Sequence, residues 1–417
     1  MFFKIKTSSR RFILVVFFAI AITVLAYGLH IASKGPVGIR ANFVQVRHFN
    51  KKLSLIASFE KNKVFLLDID GETKSCKEIC ESKGLGKKFD SHFGVSILVK
   101  PDSSGLYVTL DDELVEYDFS GNIIRKFSTN DFALGKGEYE FGEVASPLKD
   151  KVWLMANELS DYNPFFLAWD DKSPPKSRVI GPHAYFGYPD PSGKNLIFFG
   201  PRSGLFDAVN DIVTPKSWGE FSFCDFEVNG NQLLLSNRYS VSKYSKIVIQ
   251  TADGIKTKKL TWGANAQYAP DGYIYFVRGT SHLLRVDPET MRIEIVYAAS
   301  KTIKKPKWSI SRRRLLASSP DRTYLAFRYR VPYSIRAGSR WGIVLLDLNN
   351  REYIDLSAKE FNQLYQQMLT QGSISSRFGV NEYLETGLWV TSWYDRSLWG
   401  RDFWCAEEIA LFVKDGS

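Results

Sequence analysis

A strand, an acidic residue, a tight turn and a returning strand recur along this chain, and that unit limits the folds open to it. The copies are VFLLDIDGETK from Val64, LVEYDFSGNIIRKF from Leu114, FLAWDDKSPPKSRVI from Phe166, IVIQTADGIKTKKL from Ile247, LLRVDPETMRIEIVY from Leu283 and IVLLDLNNREYIDL from Ile343. Asp-Gly, Ser-Gly-Asn and Asn-Asn pairs tolerate the unusual dihedrals that join antiparallel strands. A second pattern precedes the first: KPDSSGLYVTL from Lys100, YPDPSGKNLIFF from Tyr188, YAPDGYIYFV from Tyr268 and SPDRTYLAF from Ser319, with EVNGNQLLLS from Glu227 a weaker copy. Units of this kind, about four short strands each, cannot bury two faces alone. Arranged radially they pack face to face and expose only short edges. The expected fold class is therefore all-β, a β-propeller of six to eight four-stranded blades. Seven is the preferred count, from segments 43–85, 92–130, 140–180, 185–216, 221–262, 265–300 and 308–357.

The Pro-Asp-Gly turn with its alternating strand resembles the repeat of TolB-like propellers, and more broadly the WD40-like repeat superfamily. Related repeats occur in the propeller domains of prolyl oligopeptidases. The resemblance covers roughly residues 50–350, and Tyr268–Val277 and Ser319–Phe327 match it best. It implies a six- or seven-bladed propeller, often extracytoplasmic, often binding protein or glycan. No Gly-x-Ser-x-Gly elbow follows, so the peptidase branch is not implied.

Phe12 to Leu29 is an uncharged apolar run with Lys4, Lys6, Arg10 and Arg11 directly before it. Eighteen helical residues reach about 27 Å, close to one bilayer core. A cleaved signal peptide is the alternative, with Val24 and Ala26 supplying small residues before a cut. The expected organisation is a cytoplasmic tail (1–11), a transmembrane signal-anchor (12–32), a stem (33–49) and a propeller (50–417). Flanking Lys and Arg favour a cytoplasmic N-terminus and an extracytoplasmic body. The formal charge of +10 is concentrated at this end: Met1–Phe59 holds nine basic residues and no acidic one, so the body is nearly neutral. That argues against nucleic acid as a partner. The absence of any Asn-x-Ser/Thr sequon fits a bacterial envelope protein better than a glycosylated secreted one.

The segment after Leu356 departs from the repeat. Ser357 to Glu360 reads as a capping box, and Phe361, Leu364, Tyr365, Met368 and Leu369 recur at helical spacing. A short helical insertion is expected at 358–371. Trp389, Trp393, Trp399 and Trp404 follow, suited either to core packing or to an aromatic binding surface. Ile409–Val413 reads as a final strand that closes the ring on the first blade.

Chemistry is sparse in the sequence. Lys301, Lys304, Lys305, Lys307, Arg312, Arg313 and Arg314, with Trp308 among them, form a candidate anionic-ligand patch. Cys76 and Cys80 form a candidate disulfide; four cysteines are too few for a disulfide scaffold or a zinc site. His92 and His183 sit in turn-like stretches and read as loop histidines. Asp111-Asp112-Glu113 and Asp170-Asp171 are adjacent carboxylates with no catalytic spacing, and Asp68, Asp118, Asp287 and Asp347 recur at one place, as structural turn residues do. No catalytic residue, metal or cofactor is expected. The expected function is a membrane-anchored, extracytoplasmic, non-catalytic scaffold for protein or anionic glycan. The alternative is a glycan-active lyase or hydrolase with its site in the propeller channel.

Overall fold

The computed structural model describes residues 39–357 and 409–413, apart from connecting segments of which the longest are 82–95, 171–185, 237–245 and 301–314. Residues 1–38, 358–408 and 414–417 lie outside the description.

Among the described residues the strands form seven sheets, most of them plain antiparallel meanders. Sheet 1 is Leu53–Phe59, Lys63–Asp70 and Thr73–Glu81, with Ile409–Val413 paired antiparallel to Leu53–Phe59. Sheet 2 is Ser96–Val99, Leu106–Leu110, Glu113–Tyr117 and Ile123–Ser128. Sheet 3 is Tyr139–Leu148, Lys151–Glu158 and Asn163–Asp170. Sheet 4 is Phe186–Pro189, Asn195–Phe199, Gly204–Asp207 and Ile212–Pro215; sheet 5 is Phe223–Phe226, Gln232–Ser236, Lys246–Thr251 and Thr257–Trp262. Sheet 6 is Ala264–Tyr268, Ile274–Arg278, His282–Val286 and Ile293–Ala298; sheet 7 is Leu316–Ser318, Tyr324–Ser334, Gly338–Asp347 and Glu352–Ser357.

The core sits between sheets, as radial packing requires. One apolar slab joins Tyr107 and Leu114 of sheet 2 to Val152 and Leu154 of sheet 3. Others join Tyr188 and Phe199 to Phe223 and Leu235, Leu234 and Ile249 to Phe276 and Leu284, and Tyr275 and Leu283 to Phe327 and Leu346. Middle strands are covered on both faces: Ile274–Arg278 and His282–Val286 are buried at every residue. That is why they read as continuous apolar runs and not as alternation. The first strands of sheets 2 to 5 touch one another in chain order, and that of sheet 5 touches that of sheet 6. Ile409–Val413 touches both Ser96–Val99 and Leu316–Ser318, so the ring closes through the C-terminal strand.

Three of the four recurring aspartates are turn residues, whereas Asp68 lies within the strand Lys63–Asp70. Asp118 accepts from Asn122, Asp287 from Thr290 and Asp347 from Asn350, each capping the hairpin that follows its strand.

Four expectations are corrected. The sheets are not uniformly four-stranded: two have five strands and one has three, so six to eight identical four-stranded blades behind a membrane helix is not the architecture described. Residues 39–45 account for the extra strands. Ile39–Arg40 runs parallel along the outer edge of sheet 6, and Val44–Gln45 parallel along that of sheet 7. Among the described residues no helix is long and apolar enough to cross a membrane; the only helix described is the single turn Thr129–Asp131. On that finding the transmembrane signal-anchor, the membrane partner and the single-pass localisation with a cytoplasmic N-terminus are withdrawn. Segment 12–32 and the helical insertion at 358–371 both lie outside the described residues.

Candidate functional site

Three turns that follow first strands meet at one end of sheets 5 to 7. Arg322, in the turn after Leu316–Ser318, reaches past sheet 6 to sheet 5. Its Nη2 donates to Asp225 Oδ1 at 2.9 Å and its Nη1 to Asp225 Oδ2 and the Phe226 carbonyl, both at 3.1 Å. The backbone N–H of Tyr268, at the end of the first strand of sheet 6, donates to Asp225 Oδ2 at 2.7 Å. One carboxylate therefore ties three consecutive sheets together. The pair is partly exposed, with 25 % of the Arg322 side chain and 14 % of that of Asp225 accessible.

Glu227 lies two residues beyond Asp225 and its N–H pairs with the Gln232 carbonyl, which continues the ladder. Alternation puts both carboxylates on one face, with Cα atoms about 7 Å apart. The Glu227 carboxylate makes no hydrogen bond or ion pair among the described residues and is half-buried. Both charges act on Tyr268, whose phenol is raised well above its usual range, by burial first and then by Asp225. The Tyr268 hydroxyl and the neighbouring Gln267 Oε1 are buried polar atoms with no hydrogen-bond partner. Such groups cost about 1–3 kcal/mol each when nothing satisfies them.

Two other groups of buried charge are already closed into pairs. Glu116 lies between Lys100, at 2.8 Å, and Arg125. Arg285 bonds Glu294 at 2.9 Å and Asp271 at 3.3 Å, and its guanidinium covers the Tyr273 ring at 3.9 Å. At the far end of sheet 6, His282 is buried beside Ser281, with Nδ1 2.9 Å from its Oγ. Among the described residues no cluster of His, Cys, Asp and Glu could hold a metal ion.

No residue of this cluster is among the site residues expected from sequence. Lys301, Lys304, Lys305, Lys307, Arg312, Arg313 and Arg314 lie outside the described residues, as do Trp389, Trp393, Trp399, Trp404, His92 and His183. Cys76 and Cys80 share the strand Thr73–Glu81. Four residues of extended chain separate their Cα atoms by about 13 Å, more than the roughly 7 Å a disulfide spans. Asp225, Glu227, Tyr268 and Arg322 were missed. One local signal pointed to them. In the APDG copy the fourth turn residue is Gly272, at φ 81°; in the SPDR copy it is Arg322, at φ 60°.

No family model and no curated protein matches the chain. Among solved structures of similar shape are an oligogalacturonate lyase in complex with manganese (12 % identity, TM-score 0.47, covering 70 % of this chain and 93 % of that one) and TolB from Acinetobacter baumannii (12 %, 0.38, 74 % and 64 %). Kuenenia stuttgartiensis hydrazine synthase is another (13 %, 0.43, 72 % and 85 %). The likeness is a distant one of propeller fold. Proteins of that shape have unrelated chemistries, so function rests on the site. The expectation of a non-catalytic membrane scaffold is corrected: among the described residues no helix is long and apolar enough to cross a membrane.

Proposed function

We propose that this chain is a glycan-active enzyme, a hydrolase or a lyase, acting at the turn end of sheets 5 to 7. The observation that carries the reading is the placement of Asp225 and Glu227 on one strand face, with Cα atoms about 7 Å apart. Side chains of that length on Cα atoms so spaced can bring their carboxyl groups within the roughly 5–9.5 Å at which paired carboxyl groups cleave glycosidic bonds. Glu227, which has no hydrogen-bond or ion-pair partner among the described residues, is assigned the proton-accepting role. Asp225 is fixed by Arg322 and by the Tyr268 N–H. It holds the guanidinium where negative charge develops as the sugar–oxygen bond breaks. The Tyr268 phenol, buried beside the pair, stays protonated.

Hydrolysis and elimination differ in where Glu227 finds its proton. In hydrolysis it takes one from water, the water oxygen bonds the sugar carbon as the sugar–oxygen bond breaks, and the departing oxygen takes its proton from a solvent water. In elimination it takes one from a sugar carbon, a carbon–carbon double bond forms as the sugar–oxygen bond breaks, and the departing oxygen again takes its proton from a solvent water. The test is the purified full chain on a panel of neutral and acidic oligosaccharides, followed by new reducing ends and by the ultraviolet absorbance of an unsaturated product. Glu227→Gln is expected to lower kcat by about 10²-fold or more with little change in sugar binding. Absence of turnover across the panel, or full turnover by E227Q, rules the reading out.

A further inference from the structure

We infer that Arg322 recognises a carboxylate on the sugar, so that the substrate is a uronate-bearing glycan; the inference rests on the glycan-active reading above. Three observations converge on this residue. The first is conformational. Arg322 holds a left-handed backbone at φ 60°, at the turn position where the sister copy carries Gly272. Its N–H closes the turn onto the Ser319 carbonyl at 2.8 Å, as that of Gly272 does onto Ala269 at 3.1 Å. A side chain there is strained where glycine is not. The chain therefore bears a local cost to place a guanidinium at this point.

The second observation is the pattern of hydrogen bonds. Asp225 and the Phe226 carbonyl take both Nη1 hydrogens and one from Nη2. A guanidinium has five N–H groups in a rigid fork. The two left over, Nε–H and the second Nη2–H, lie side by side on one edge and have no acceptor among the described residues. With a quarter of the side chain accessible, that edge is a ready bidentate seat for two oxygens of one planar anion.

The third is charge. Around Arg322 stand Asp225, which bonds it, and Glu227, which with Arg322 acts on the same phenol; Asp321 is its chain neighbour. Lys51 in turn acts on Asp321, so the surroundings are mixed in sign; a single guanidinium edge there seats one singly charged planar group and not the repeated charges of a phosphate or sulfate polymer. The carboxylate of a uronic acid meets that requirement.

The experiment is calorimetric titration of the full chain with glucuronate, galacturonate and mannuronate oligosaccharides, and with the same sugars after reduction of each carboxyl to hydroxymethyl. Wild type is expected to bind at least one acidic sugar tenfold or more tighter than its reduced counterpart. Arg322→Gly suits the left-handed backbone, and it should erase that difference; Arg322→Lys, which lacks the fork, should keep only a minor part of it. Thermal unfolding of R322G separates loss of recognition from loss of fold. Equal binding of acidic and reduced sugars by wild type, or a preference that survives in R322G, overturns the inference and leaves the glycan reading standing. Binding of no sugar overturns both.

Discussion

His282 holds its imidazole inside sheet 6, with 4 % of the residue accessible. Burial first, and then the charge of Arg278, push its pKa down to about 4. The unfolded chain takes up this proton near pH 6.5, well before the folded one does, so stability is lost as pH falls from about 6.5 towards 4. The slope from one such group is at most about 1.4 kcal/mol per pH unit. His282→Asn can keep a polar contact with Ser281 and has no proton to gain. Urea midpoints should therefore fall less steeply for H282N than for wild type between pH 6.5 and 4.5; parallel curves would show that this histidine is not the acid-sensitive group. The residue scale is also where sequence reading succeeds or fails by range. Asp118, Asp287 and Asp347 were legible as turn residues because their partners lie three or four positions away. Asp225 and Arg322 are 97 positions apart, and nothing local to either says that they meet. Only the replacement of a turn glycine by arginine leaves a trace in the sequence.

Among elements, the segment from Ile39 to Phe49 does more than lead into the ring. It crosses from the outer edge of sheet 6 to that of sheet 7, bonding through the Ala41, Val44 and Val46 N–H groups to the Ile295, Arg351 and Tyr353 carbonyls. Between the two short strands Phe43 lies over the Arg285 guanidinium at 5.5 Å. Beyond them Phe49 is 3 % accessible and packs 5.9 Å from the Tyr324 ring. Sheet edges invite pairing with foreign strands, and here the chain covers two of its own. The energy should reside in the buried anchor and not in the strand. Phe49→Ala is expected to cost about 3–4 kcal/mol, as cavity-forming aromatic truncations do. Val44→Ala, at a side chain 57 % accessible, should stay within about 0.5 kcal/mol of wild type. Equilibrium denaturation of both variants checks the contrast, and equal losses would place the anchoring in the edge strand instead. Neither of these strands was legible beforehand, because two-residue edge pairings carry no hydrophobic periodicity.

At the scale of the molecule, stability is shared between neighbours, since each described apolar slab is lined by residues of more than one sheet. An open row of such sheets would behave as a chain of nearest-neighbour couplings, able to fray from either end. A closed ring has no end. Here closure depends on five residues, because Ile409–Val413 supplies the first strand of sheet 1 and meets the first strands of sheets 2 and 7. Its pairing with Leu53–Phe59 joins positions more than 350 residues apart, a loop whose closure entropy grows only slowly with length. The contacts it completes are therefore gained at little more entropic cost than those of a much shorter loop. Removing residues 409–417 should accordingly do more than delete one strand. Sheets 1, 2 and 7 lose a shared neighbour, and the single calorimetric transition expected of the intact ring should broaden and shift down by many degrees. A synthetic peptide of residues 409–417 added in excess should restore part of the loss by mass action. A truncated chain that melts in one sharp step at the wild-type temperature would mean that the remaining sheets do not need the ring, and that adjacent pairs alone carry the fold.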